Sequence, residues 1–171
     1  MTEKKEQILN TALELFADNG YAGTSTSKIA KKAGVSEGLI FKHFGSKKNL
    51  LKELMIDTQE NIYDLFSEIL NEDNPKEVLR KTINLPFTIK TSEYKYWKLQ
   101  YKLRWEPDYT NSEKFTPILE KYEQAFKALN YEEPKYEAVL FNHILNSIAI
   151  DILLKRFDKS YINFLIIKYK L

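Results

Sequence analysis

The chain has 171 residues, 43% hydrophobic and 29% charged, with a formal net charge of +2. That length fits one ordinary domain or two small ones, and the apolar fraction suffices for a core, which excludes a wholly disordered chain. Cysteine is absent, which excludes disulfides, thiol catalysis and cysteine-rich zinc sites, and His43 and His143 alone are too few for a histidine metal site.

Apolar residues recur with a period near 3.6 throughout, so an all-α fold is expected. The spacing predicts a first helix over Glu3–Asn19, with Ile8, Leu9, Ala12, Leu13 and Phe16 as its apolar stripe and Gly20 as its stop. Ser25 caps a second helix that ends at Ala33 before Gly34, with Ile29, Ala30 and Ala33 inward. Ser36 caps a third, Glu37–Phe44, whose first-turn Glu37 suits the helix dipole. Ser46 caps a fourth from Lys47 to about Asn71, roughly 37 Å long. Pro75 opens a fifth, which Pro86 kinks or ends. Ser92 caps a sixth that ends before Pro107. Thr116 and Pro117 open a seventh to about Leu129, Pro134 an eighth to about Arg156, and Asp158 caps a ninth that runs to Leu171. No stretch approaches the ~18 uncharged apolar residues of a membrane span. Residues 1–6 lack the apolar run of a secretory leader, so a cytoplasmic location without membrane association is expected.

The net charge of +2 hides a gradient. Residues 24–54 hold seven lysines against two glutamates, a net of +5, whereas residues 55–171 hold 17 basic and 18 acidic residues. A lysine-rich stretch of this kind is either a solvated face or a footprint for nucleic acid. The spacing of Ala30, Gly34, Val35 and Ile40 is that of a helix-turn-helix, a helix pair that occurs in non-binding proteins as well, so by itself it leaves both readings open. Ala30 is small where the second helix crosses, Gly34 sits in the turn, and Ile29, Val35 and Ile40 fill the wedge. The second helix of such a unit lies in the DNA major groove, its N-terminal residues on base edges.

Further residues carry a family resemblance. Gly20-Tyr21, Thr24-Ser25, Ile29-Ala30, Ala33-Gly34-Val35-Ser36, Gly38, His43-Phe44 and Ser46-Lys47 closely resemble, in register, the DNA-binding domain of TetR-family transcriptional regulators. The resemblance covers residues 5–54. It implies about nine helices, a homodimer, a palindromic double-stranded operator and a small-molecule inducer. It also implies roles. Thr26 and Ser27, with Lys28 beside them, face the phosphates and the groove edge. Ser36, Glu37, Gly38 and Leu39 form the first turn of the recognition helix, where Gly38 allows a close approach. Lys42 and His43 reach phosphate or a base, and Lys47 holds a phosphate at the start of the fourth helix.

Two positions depart from the family pattern. Leu39 replaces a small polar residue, and Phe41 replaces a tyrosine whose hydroxyl would reach phosphate. Leu39 is expected to pack on a thymine methyl and Phe41 to pack in the domain core. Residues 1–54 contain no arginine, the commonest reader of guanine, so an operator rich in A·T at the contacted steps is expected.

The eighth and ninth helices are apolar nearly all round, from Val139 to Leu154 and from Tyr161 to Ile167. Such helices must be buried on all sides, which points to a two-fold dimer through these last two helices, against the alternative of a central helix in a monomer. An aromatic-rich stretch precedes them. Tyr63, Phe66, Trp97, Tyr101, Trp105, Tyr122 and Phe126 are candidate ligand-lining residues, with Asn142, His143 and Asn146 to hold a ligand's polar group. Trp97, Tyr101 and Trp105 recur at i, i+4 and i+8, a spacing found more often in plain core than in a ligand wall, and the three polar residues fit hydrogen-bonded core or interface positions more often than ligand contacts. No nucleophile–base pair, phosphate loop or metal spacing appears, so neither catalysis nor a cofactor is expected.

The expectation is therefore a DNA-binding transcriptional regulator, a repressor released from its operator by a small apolar or aromatic ligand. Residues 1–46 form a three-helix DNA-binding domain, joined by the fourth helix to a helical dimerisation and ligand domain over 47–171. The competing reading is a DNA-binding architectural or interaction protein of the same fold with no inducer.

Overall fold

In the computed structural model, residues 2–56, 66–104, 106 and 116–171 are described. They form helices and, among the described residues, no strand: α1 (Glu3–Asn19), α2 (Thr26–Ala33), α3 (Glu37–Phe44), α4 (Lys47–Ile56), α5 (Pro75–Asn84), α6 (Tyr94–Leu103), α7 (Thr116–Ala128), α8 (Pro134–Leu153) and α9 (Ser160–Lys168). Residues 66–70 are also helical, and 3₁₀ turns follow at Leu85–Phe87 and Thr91–Glu93. The expected fourth helix to Asn71 crosses residues 57–65, which lie outside the described residues.

Local chemistry sets most helix ends. The hydroxyls of Ser25, Ser36 and Ser46 accept from the backbone N–H groups of Lys28, Leu39 and Asn49 at 3.1–3.3 Å, which satisfies one orphan donor at each start. Gly34 adopts the left-handed conformation that ends α2 and turns the chain into α3. Asn74 caps α5, and Pro86 falls in the 3₁₀ turn that follows it.

Three expected ends differ. The ninth helix stops at Lys168 rather than at Leu171, and Lys170 takes a positive φ. Ser92 does not cap α6. Residues Thr91–Glu93 form a 3₁₀ turn, and α6 starts at Tyr94 with no side-chain cap. The eighth helix stops at Leu153 rather than near Arg156, because Lys155 takes a positive φ without the glycine that would have signalled it. Asp158 does receive a helix-start N–H, that of Ser160 at 2.9 Å.

The helices pack as two units, Met1–Ile62 with Ser92–Thr110, and Tyr63–Thr91 with Asn111–Leu171. In the first, α1 buries Ile8, Leu9, Ala12 and Phe16 against Ile29 and Ala30 of α2, and Ile40 and Phe44 of α3. Two eight-residue helices cannot cover the whole apolar stripe of α1. Leu50, Leu51 and Leu54 of α4 and Tyr96, Leu99 and Leu103 of α6 complete the cover. By packing, α4 and α6 group with the first three helices, whereas the expected boundary lay after residue 46.

The second unit is centred on aromatic edges. Phe126, Phe141 and Tyr169 meet pairwise with ring centroids 5.2–5.6 Å apart, and Tyr122 meets Phe141 edge-on at 5.3 Å. Val78, Leu79 and Ile83 of α5 and Leu165 of α9 surround them.

Candidate nucleic-acid interface

The helix-turn-helix is α2, the Gly34 turn and α3. Ile40 and Phe44, one turn apart, are buried and fix which side of α3 faces the core. Gly38 and Lys42 lie on the opposite side, Phe41 on the flank and Glu37 in the first turn, and all four are exposed. Phe41 is 47% exposed, so it does not pack in the domain core as expected. Leu39 instead is half-buried and packs against that core. The two residues flank Ile40 on opposite sides around the helix, and the difference is one of cover: the domain core reaches the flank that carries Leu39 and leaves the flank that carries Phe41 open.

The Thr26 hydroxyl donates to Glu37 Oε1 at 2.5 Å and ties the start of α2 to the start of α3. The Ser27 and Ser25 hydroxyls share a hydrogen bond of 2.9 Å. Lys28 is exposed, and its ammonium donates to the Gly23 carbonyl at 3.2 Å. Ser36 is occupied as the cap of α3. His43 is half-buried, its ring 6.0 Å from that of Phe44.

Lys47 departs most from a free phosphate ligand. Its ammonium donates to the carbonyls of Tyr21 at 2.9 Å and Thr24 at 3.0 Å, and lies 4.1 Å from the centre of the Tyr21 ring. Two of its three donors hold the α1–α2 loop against the start of α4, which leaves one for a phosphate. Thr24 belongs to the same lock. It is buried, and its hydroxyl lies within hydrogen-bond reach of the carbonyls of Gly20 at 2.9 Å and Leu15 at 3.2 Å. Sequence reasoning gave neither Tyr21 nor Thr24 a role; an aromatic and a hydroxyl flanking a glycine loop were the available signal.

Glycine has two different reasons here. At Gly23 an added Cβ would lie 2.6 Å from the Asn19 carbonyl oxygen, so a side chain there displaces backbone. At Gly38 the nearest atom is Ser36 Oγ at 4.0 Å, and φ is not positive. Nothing inside the protein requires Gly38.

The basic stretch is partly neutralised. Lys32 pairs with Glu14 at 3.0 Å, and Lys95 reaches the same carboxylate at 3.3 Å. Hydrogen bonds from Lys32 and then Lys95 hold the Glu14 carboxyl below its ordinary value of 4.5. Lys31 and Lys42 remain exposed.

The candidate ligand residues divide between the units. Trp97 and Tyr101 belong to the first. Trp97 packs against its core, and the Arg104 guanidinium lies 4.6 Å from the centre of the Tyr101 ring. Phe66, Tyr122, Phe126, Asn142, His143 and Asn146 belong to the second, while Tyr63 and Trp105 lie outside the described residues. Tyr122 and Phe126 are buried core, and burial pushes the Tyr122 phenol above its ordinary range. Asn146 donates to the Asn142 carbonyl at 2.8 Å, and His143 is exposed. The Tyr169 hydroxyl, which sequence reasoning missed, is buried with no hydrogen-bond partner among the described residues, and burial raises its pKa to about 12.

Comparison with known proteins gives a consistent picture. Residues 8–54 match the family described as bacterial regulatory proteins, tetR family. The chain is 41% identical over 90 residues to the helix-turn-helix transcriptional regulator YerO of Bacillus subtilis; the match covers 51% of this chain and 31% of that relative. The chain thus spans about a third of that relative's length. A TetR-like transcriptional regulator from Rhodococcus sp. RHA1 superposes with a TM-score of 0.80 at 17% identity, over 97% of this chain and 92% of that one. The regulator AibR, solved with isovaleryl coenzyme A and operator DNA, superposes with a TM-score of 0.66 at 22% identity, over 86% of each chain. Both structures share the fold.

Proposed function

We propose, for a chain that residues 8–54 place in the tetR family of bacterial regulatory proteins, that it is a dimeric transcriptional repressor binding a palindromic operator. The observation that carries this reading is the outer side of α3. Glu37, Gly38, Phe41 and Lys42 stand clear of the core that Ile40 and Phe44 anchor, on the turn that a helix-turn-helix inserts into the major groove. Gly38 supports it, since glycine disfavours a helix and no internal contact calls for one there.

The dimer rests on α8 and α9. Tyr136, Leu140 and Ile150 follow one another along one face of α8 at helical spacing, Leu154 comes directly after the helix end, and all four are exposed. Tyr161, Phe164 and Ile167 do the same from α9, with Ile167 76% exposed. An exposed apolar face of this extent calls for a partner surface, and a second copy supplies the two-fold symmetry that a palindrome requires.

A small, largely apolar ligand is proposed as the effector. The aromatic core of the second unit gives it apolar walls, and the unpartnered Tyr169 hydroxyl gives it one hydrogen-bonding group. Release follows if the ligand favours a separation of the two recognition helices other than one DNA turn, ~34 Å. Ligand and operator must then weaken each other by the same factor. Titration of duplex DNA at several salt concentrations tests the binding: affinity should fall by ~0.9 log units per log unit of salt for each phosphate contacted. Affinity that ignores salt would reject the reading.

A further inference from the structure

The recognition surface contains one acid, and its position is fixed by a bond across the turn. Glu37 Oε1 accepts from Thr26 Oγ1 at 2.5 Å, although Glu37 itself is exposed. Capping of α3 does not need this arrangement, because Ser36 already accepts from the Leu39 N–H. A first-turn acid also gains from the helix dipole without any hydroxyl to hold it. The Thr26 bond instead removes rotamer freedom from a solvent-facing carboxylate and uses a proton that Thr26 would otherwise offer to a phosphate.

A carboxylate carried among phosphates is repelled unless it meets a donor. In the major groove the donors are the amino groups of cytosine and adenine. Adenine sets its N7 acceptor beside the amino group, facing the same carboxylate, whereas cytosine offers the N4 amino group with no neighbouring acceptor of its own. A carboxylate accepts at about four positions, so Oε2 stays available while Thr26 occupies Oε1. We propose that Glu37 determines sequence specificity by accepting a hydrogen bond from a cytosine N4 amino group, and that Thr26 is its positioning residue. The proposal rests on α3 being the recognition helix. It places one C·G step in each half-site of an otherwise A·T-rich operator.

Selection of bound duplexes from a random pool tests it, run in parallel with the unaltered protein, Glu37→Gln and Thr26→Val. The unaltered protein should prefer cytosine at one step of each half-site by about tenfold, the size of one good base contact. Glu37→Gln should move that preference to adenine, whose N6 and N7 match a carboxamide. Thr26→Val should keep cytosine but reduce the preference to a few-fold. If Glu37→Gln selects the same base at every step, or binds all sequences more tightly to an equal extent, Glu37 reads no base and the proposal fails while the recognition helix stands. If the unaltered protein enriches no sequence and binds DNA without salt dependence, the recognition-helix reading fails and takes the proposal with it.

Discussion

Replacing Gly38 by alanine separates what this position does for the fold from what it does for DNA. The added Cβ meets nothing nearer than Ser36 Oγ at 4.0 Å, and the helical φ is one that alanine accepts. Alanine in a helix interior gains up to ~1 kcal/mol over glycine, and in a first turn about half that. For a chain of this length the midpoint of thermal unfolding should rise by about 1–2 °C. Operator affinity should fall by about tenfold, ~1.4 kcal/mol, because the new methyl stands on the surface that approaches the groove. Gly23→Ala is the contrast. Its Cβ would lie 2.6 Å from a backbone oxygen, so that variant should lose stability and binding together. Thermal melting and a DNA titration on the same preparations give both quantities. A Gly38→Ala protein that melts higher and binds operator unchanged would refute the reasoning, as would one that melts lower.

Other perturbations divide along the same lines. Lys42→Ala should lower affinity for all sequences and reduce the salt slope by ~0.9 with no change in melting, whereas Lys47→Ala should also lose about 1–2 kcal/mol of stability with its two carbonyl bonds; equal melting of the two variants would contradict the lock described for Lys47. Leu140→Glu combined with Ile167→Glu should yield a monomer by sedimentation, and an unchanged mass would remove α8 and α9 from the dimer interface. Glu14 and Glu72, hydrogen-bonded by Lys32 and Lys81 respectively, titrate below their ordinary 4.5 in the folded chain. The unfolded chain therefore binds protons first, so their contribution is present above that value and is lost as pH falls through the lowered one. Urea unfolding across this window should show Glu72→Gln with a shallower loss of stability on acidification; an identical loss would mean that the Glu72–Lys81 pair contributes nothing.

What the sequence revealed follows the range of the interactions involved. Ser25, Ser36 and Ser46 were legible as caps because each bonds a donor three residues away. Ser92 misled because the segment before α6 winds into a 3₁₀ turn, which the residue type alone does not signal. Leu39, Ile40 and Phe41 form an unbroken apolar run whose ends lie equally far from Ile40 around the helix, so periodicity could not say which of them turns outward; tertiary cover over Leu39 decides it. Lys47 reaches carbonyls 23 and 26 residues earlier in the chain, and Thr26 reaches a carboxylate 11 residues later, contacts that only the folded turn brings together. The spacing of Trp97 and Tyr101 fits plain core or one ligand wall, and Trp97 does pack against the core. The fully buried positions of α6 are Tyr96, Leu99 and Leu103, which lie on a different face of the helix from Tyr101.

The central claim is that a two-fold dimer presents two copies of α3 to one operator. Hydroxyl-radical footprinting on a duplex selected by the protein tests it most directly. Two protected half-sites, related by two-fold symmetry and centred one helical turn or a multiple of it apart, ~34 Å per turn, are expected. A single asymmetric block of protection, or none at a salt concentration where the protein binds, would contradict it.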